Sequence, residues 1–224
     1  MDLTAACEPY RIGFLHEPAN AISSAAFVVA GASILVASRR SEAWVDRRAM
    51  FAVLVASVGV GSFVQHGPHP DWQAYAHDLP LAAVLVFVAT DAATDLTGRE
   101  LSYRWWLIPS VAMVPVVALG PTASTIAQAG IAAAAIGANL LRAARRPVLR
   151  RVLISALVIA AAGATIGSPS DPSSPCRADG LLPRHTIWHV LAAAALWRLA
   201  TVIGARHGRA SRLAYSASGG TQRA

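Results

Sequence analysis

Three histidines carry the chemistry that this sequence offers. His185 and His189 stand four residues apart, which puts them on one face of a helix. Two imidazoles at that spacing can chelate one ion. His66 closes an apolar stretch elsewhere in the chain, and at the same level it would complete a three-histidine set. Such a set leaves a fourth position for water, the pattern of catalytic rather than structural zinc. Metal binding brings the pKa of that water down to roughly 7. Ser62 lies four residues before His66 and on its face, where a hydroxyl can bond the water or a developing oxyanion.

The elements that must position these residues are membrane helices. The chain has 224 residues, 55% hydrophobic and only 14% charged, with a mean hydropathy of +0.48. A soluble domain of this size needs more charge to cover its surface. The formal net charge is +7, and all 19 basic residues are arginine. They fall between long apolar runs, which fits membrane topology and argues against a nucleic-acid partner. The first 18 residues include Asp2, Glu8, Arg11, Glu17 and Pro18 without an early apolar core, so no cleavable signal peptide is expected. A spanning helix needs about 20 mostly apolar residues. On that length seven are predicted, over residues 19–38, 49–66, 79–92, 105–119, 122–141, 152–167 and 186–204. Gly120 and Pro121 with a few small polar residues divide the fourth from the fifth; fused, these would leave six.

The arginines decide between the two counts. Arg39, Arg40, Arg47, Arg48, Arg99, Arg104, Arg142, Arg145, Arg146, Arg150, Arg151, Arg206, Arg209, Arg212 and Arg223 fall on one side, against Arg11, Arg177 and Arg184 on the other. By the positive-inside rule the N-terminus is outside and the C-terminus cytoplasmic, which requires an odd number of spans. The chain therefore reads as an all-α polytopic membrane protein. A seven-helix domain covers residues 1–204, and the Arg, Ser and Gly content of 205–224 predicts a disordered tail. Abundant Ala and Arg with no Lys suggest a GC-rich bacterial genome, and so a bacterial plasma membrane. Polar groups inside a membrane are expensive and default to functional hypotheses. Four stretches collect them: Glu8, Glu17 and Asn20 with Ser23 and Ser24; Gly61 to His66; Asp71 to Pro80; and His185 to His189. All four fall at the outer end of the predicted topology, which puts one shared site near the extracytoplasmic face. No matching polar cluster is expected at the cytoplasmic end. His69 reads as a solvated loop residue, and His16 and His207 as interfacial.

Four motifs in order carry a family resemblance: Glu17-x-x-Asn20, Ser62-x-x-x-His66, Leu79-Pro80 opening the third helix, and His185-x-x-Trp188-His189. Together they resemble the alkaline ceramidase family of seven-helix membrane hydrolases, in the superfamily that includes the adiponectin-receptor-like proteins. The resemblance runs from Cys7 to about Trp197, with the middle helices matching in hydropathy only. It implies a zinc ion held by His66, His185 and His189, with Ser62 as an oxyanion-stabilising group. It implies a helix-three aspartate that orients water and moves protons. The implied substrate is a membrane lipid, a ceramide-like amide split into fatty acid and amine. The same superfamily leaves two rival roles open, a receptor-like or lipid-binding protein with a structural metal, and a transporter.

The chain departs from the family pattern in two places. The family's aspartate stands three residues before the proline; here that position is His77, and Asp78 follows. Neighbouring helix residues point about 100° apart. Either Asp78 rotates in, or His77 replaces it as base or extra ligand. A carboxylate both accepts protons and partners a ligand imidazole, which favours Asp78. The second departure concerns Ca²⁺, which some family members hold near the first helix. Calcium prefers six to eight oxygens. This segment offers few, so Glu8, Glu17 and Asn20 read as a polar clasp between helices rather than a second metal site. Cys7 and Cys176 both fall outside by the arginine count, and the resemblance implies a disulfide between them; the alternative is two free thiols.

Overall fold

The computed structural model describes residues 8–39, 45–167 and 183–206. Cys7, Cys176 and His207 lie outside the described residues, as do the expected disulfide and the tail beyond Arg206. The described residues form eight α-helices and no strand. These are α1 (Pro18–Ser23), α2 (Ala25–Arg39), α3 (Val45–His66), α4 (Gln73–Thr97), α5 (Arg104–Ala118), α6 (Pro121–Arg145), α7 (Pro147–Gly167) and α8 (Arg184–Leu199). α1 and α2 run on as one apolar stretch, Pro18–Ser38. That stretch, α3, α4, α6 and α7 are long and apolar enough to cross a membrane, which fits an integral membrane protein. α5 has 15 residues and α8 has 16, both short of a standard span. The fourth and fifth predicted helices are separate, because Gly120 takes a φ of 110° and Pro121 then starts α6.

Side chains are distributed as in a lipid-facing bundle. Large apolar residues such as Val29, Val36, Ile108, Val111, Ile126 and Val158 face outward, while Asn20, Ser24, Ser62, Asp91, Asp95, Ser124, Asn139 and Arg142 are buried. In lipid a polar group must find its partner inside the protein, so the polar side chains turn inward.

The third predicted helix is longer than its hydropathy. It was expected over 79–92 with Pro80 opening it; α4 instead begins at Gln73, and Pro80 lies inside. Tyr75, His77 and Asp78 interrupt the apolar run without interrupting the helix. Proline has no N–H, so the carbonyl of Ala76, four residues earlier, loses its helical donor. Gly61 of α3 sits against that carbonyl. A Cβ at Gly61 would lie 1.8 Å from Ala76 O and 3.2 Å from His77 Cα. Only glycine allows the two backbones this close, and its Cα–H faces the carbonyl that the proline freed.

The expectation that the end away from the histidines holds no polar cluster is corrected. At the end of α4 opposite His77, Asp91 and Asp95 are buried with Arg142 of α6. Arg142 donates from Nε to Asp95 (2.8 Å) and from Nη1 to Asp91 (3.2 Å). Its Nη2 donates to the carbonyls of Val202 (3.0 Å) and Ala205 (3.3 Å), just past α8. Arg146 pairs with Asp95, Arg206 with Asp91 and Glu100, and Arg47 with Glu100. The signal was present as two helical pairs of opposite sign, Asp91/Asp95 and Arg142/Arg146, each spaced i, i+4. Counting arginines only as loop markers hid it.

Removing one partner of a buried ion pair strands the other charge. Arg142→Ala is therefore expected to lower the unfolding free energy by about 3–5 kcal/mol, read by denaturant unfolding in detergent. A loss no larger than that of an exposed arginine would contradict the burial of this network. Gly61→Ala must push α4 away from α3, at a cost of about 1–3 kcal/mol. An unchanged midpoint in the same assay would show that the close approach is not maintained.

Candidate metal centre

The end of α3, the start of α8 and the segment entering α1 meet at one place. His66 is the last residue of α3, and His185 and His189 lie in the first two turns of α8. The ligand atoms of these three imidazoles lie within 4.8 Å of one another. Ring centroids are 5.1 Å apart for His66 and His185, 5.2 Å for His66 and His189, and 4.5 Å for His185 and His189. The i, i+4 spacing on α8 thus does what it predicted, and His66 arrives from α3 at the same level.

Hydrogen bonds fix which nitrogen two of the rings present. His66 Nδ1 lies 2.5 Å from Glu17 Oε2. A carboxylate accepts, so Nδ1 carries the proton and Nε2 the lone pair. That Nε2 is buried and has no hydrogen-bond partner. His189 Nδ1 is 2.8 Å from Ser23 Oγ, whose own proton goes to the carbonyl of Asn20 (2.9 Å). The serine therefore accepts from Nδ1–H, and His189 Nε2 also carries a lone pair. A carboxylate or hydroxyl behind the ring, fixing its tautomer, is the usual support of a metal-binding histidine.

The remaining predicted residues divide into two groups. Ser62 is buried beside His189, with its Oγ 3.2 Å from His189 Nε2 and accepting from Ser24 Oγ at 2.8 Å. Glu8 accepts the backbone N–H groups of Ala19 (2.8 Å) and Asn20 (2.9 Å), at the start of α1. Asn20 donates to Glu17 (3.1 Å) and accepts from Thr186 Oγ1 of α8 (3.0 Å). Glu8, Glu17 and Asn20 are thus spent on the protein's own helices. His77 and Asp78 form the second group. The His77 ring is 6.4 Å from that of His66 and is not part of the convergent trio. Asp78 Oδ1 lies behind it, 2.7 Å from His77 Nδ1. Asp78 Oδ2 accepts from Ser124 Oγ (2.5 Å), and Ser124 Oγ accepts from Gln128 Nε2 (3.0 Å). Ser124 and Gln128 were not singled out in the sequence. Their signal was a polar i, i+4 pair in the first turns of an Ala-rich helix.

His16 and His69 stand apart from the trio. Their rings pack around Tyr10, and each Nδ1 donates to a backbone carbonyl, of Arg11 and Gln65 respectively.

The donor set fits a metal ion. Three imidazoles converge, and the buried Nε2 of His66 has no hydrogen-bond partner in the protein. Imidazole suits zinc, copper, iron and nickel, and three histidines with no thiolate fit zinc well. No protein-family model matches the chain, and no curated protein matches it.

Purified protein is expected to bind one equivalent of zinc by elemental analysis, and His66→Ala, His185→Ala and His189→Ala should each abolish it. Glu17→Gln keeps all three ligands and should weaken zinc by about 10- to 100-fold in competition with a chelator. Loss of zinc in His66→Ala with none in His185→Ala would contradict the shared site.

Proposed function

We propose that this protein is a zinc-dependent hydrolase embedded in the membrane, cleaving the amide of a ceramide-like N-acyl lipid. The observation that carries the reading is the buried, unpartnered Nε2 of His66 within three converging imidazoles, with a His–Asp pair one step outside them. His66, His185 and His189 would hold the ion, which when bound supplies Lewis acidity that polarises a carbonyl and acidifies a water molecule. His77, backed by Asp78, takes a proton at Nε2 and returns it to the leaving amine. Asp78 holds the imidazole in one tautomer and steadies the imidazolium that forms. The Ser62 hydroxyl donates to the negative charge growing on the carbonyl oxygen. Water and amide enter; carboxylic acid and amine leave.

The membrane arrangement follows from the same ends. We read α5 and α8 as completing a bundle of seven spans, with the histidines toward the outside and the C-terminus toward the cytoplasm. About 28 Å of helix rise separates Arg47 from His66 along α3, close to the hydrocarbon thickness. The arginine-rich loops and the Asp91–Arg142 cluster share one end, and the histidine trio occupies the other. A site at the end of membrane helices suits a substrate with a long acyl chain.

Zinc-loaded protein incubated with a panel of N-acyl lipids should release free fatty acid, measured by mass spectrometry. His77→Gln should lower turnover by about 10²- to 10⁴-fold. Full activity in that variant would place the base elsewhere, and a zinc-loaded protein that cleaves no lipid amide would favour a receptor-like role.

A further inference from the structure

We propose that Ser124 and Gln128 of α6 are positioning residues that lock His77, whose ring stands beside the histidine trio, in its Nδ1–H tautomer and so leave the lone pair on its Nε2. The role in turnover rests on the hydrolase reading above; the lock itself does not.

The argument is one of hydrogen-bond direction. An amide nitrogen can only donate, so the bond from Gln128 Nε2 at 3.0 Å makes Ser124 Oγ an acceptor. The serine has one proton, and its other bond is to Asp78 Oδ2 at 2.5 Å. That proton therefore points at the carboxylate. With Oδ2 accepting from serine, Oδ1 is left to accept from His77 Nδ1 at 2.7 Å. Every proton in the chain Gln128–Ser124–Asp78–His77 has one direction. The far nitrogen of His77 is left with a lone pair. Ser124 is almost fully buried, at 1% exposed, so solvent does not compete for its proton.

The placement of the rings gives the lock its use. His77 approaches His66 at 6.4 Å between centroids, farther than either of the other two members of the trio, at 5.1 and 5.2 Å. It stands beside the ligands and not among them, at the range of a group that exchanges protons with something held there. The opposite tautomer would carry its N–H at Nε2 and could accept nothing there. Asp78 alone does not decide this, because a carboxylate free to rotate or to take a proton leaves the imidazole a choice. Ser124, held by Gln128 on the next turn of α6, removes that freedom.

The test uses full-length, metal-free protein with ¹⁵N-labelled histidine, in detergent at alkaline pH where imidazoles are neutral. Long-range ¹H–¹⁵N correlation identifies each tautomer, and His77→Gln assigns the signal. The wild type is expected to show His77 protonated at Nδ1. Ser124→Ala should give a mixture of tautomers, and Ser124→Thr, which keeps the hydroxyl, should restore the single form. Gln128→Leu, which removes the amide that bonds both Ser124 and Asp78, provides the second variant should Ser124→Ala fail to fold. A wild type protonated at Nε2 would overturn the proposal. So would a lowered thermal midpoint in Ser124→Ala or Gln128→Leu with the His77 tautomer unchanged, since that is the mark of a merely structural bond. On any lipid amide that the protein cleaves, Ser124→Ala should cost about 10²-fold in kcat, the scale of a small misplacement, with KM unchanged. A protein that cleaves none removes the hydrolase reading, while the tautomer measurement still decides the lock.

Discussion

Glu17 and His66 hold each other twice. The backbone N–H of Glu17 donates to the carbonyl of His66 at 2.8 Å, and His66 Nδ1 donates to the Glu17 carboxylate at 2.5 Å. The first bond ties the segment entering α1 to the end of α3. The second sets the tautomer that leaves His66 Nε2 bare. The same carboxylate accepts from Asn20, and Asn20 accepts from Thr186 at the start of α8. One short chain of polar contacts therefore draws together the three elements that carry or support the histidines. In an interior with no water to take over, each of these bonds is costly to break, and their sum is a positioning device.

The two ends of the bundle constrain each other through α4 and α6. α4 carries His77 and Asp78 near its start and Asp91 and Asp95 farther along. α6 carries Ser124 and Gln128 near its start and Arg142 near its end, with Arg146 as the residue that caps it. The two helices run in the same direction, so their polar groups meet partners at both levels, Asp78 with Ser124 and Asp91 and Asp95 with Arg142. A slip of one residue moves a side chain about 1.5 Å along the axis and turns it about 100°. Such a slip would separate both sets together. Arg142 also grips the carbonyls of Val202 and Ala205, so the segment following α8 is held by the same charge. The ion pairs act as a register lock, a role for which buried polar groups are better suited than for bulk stability.

How far the sequence showed this depends on what each element answers to. Hydropathy answers to lipid: a helix runs through most of each of the seven apolar stretches, α4 extends beyond its stretch at both ends, and α8 stops at Leu199 where 186–204 was expected. The extension before Pro80 was illegible because it depends on Gly61 of another helix lying against the Ala76 carbonyl, a tertiary fact. His185 and His189 were legible because spacing alone puts them on one face. His66 was legible as a candidate from its level in the membrane, while its pairing with Glu17 required the fold. The charge cluster at the other end was hidden by treating arginine as a topology marker: in Arg142 the same residue type is a buried partner.

The exchange of His77 and Asp78 is the most instructive case. Read on one helix, the two side chains compete for one place, and the carboxylate has the stronger claim as a base. In the fold they do not compete for one place, because they are bonded in series. Asp78 turns toward α6 and His77 toward α3, and one bond between them joins the two directions. The carboxylate accepts from Ser124 on one side and from the His77 ring on the other, and that ring packs 6.4 Å from His66. The aspartate that stands one residue late on the helix thus has an imidazole between it and the histidine trio.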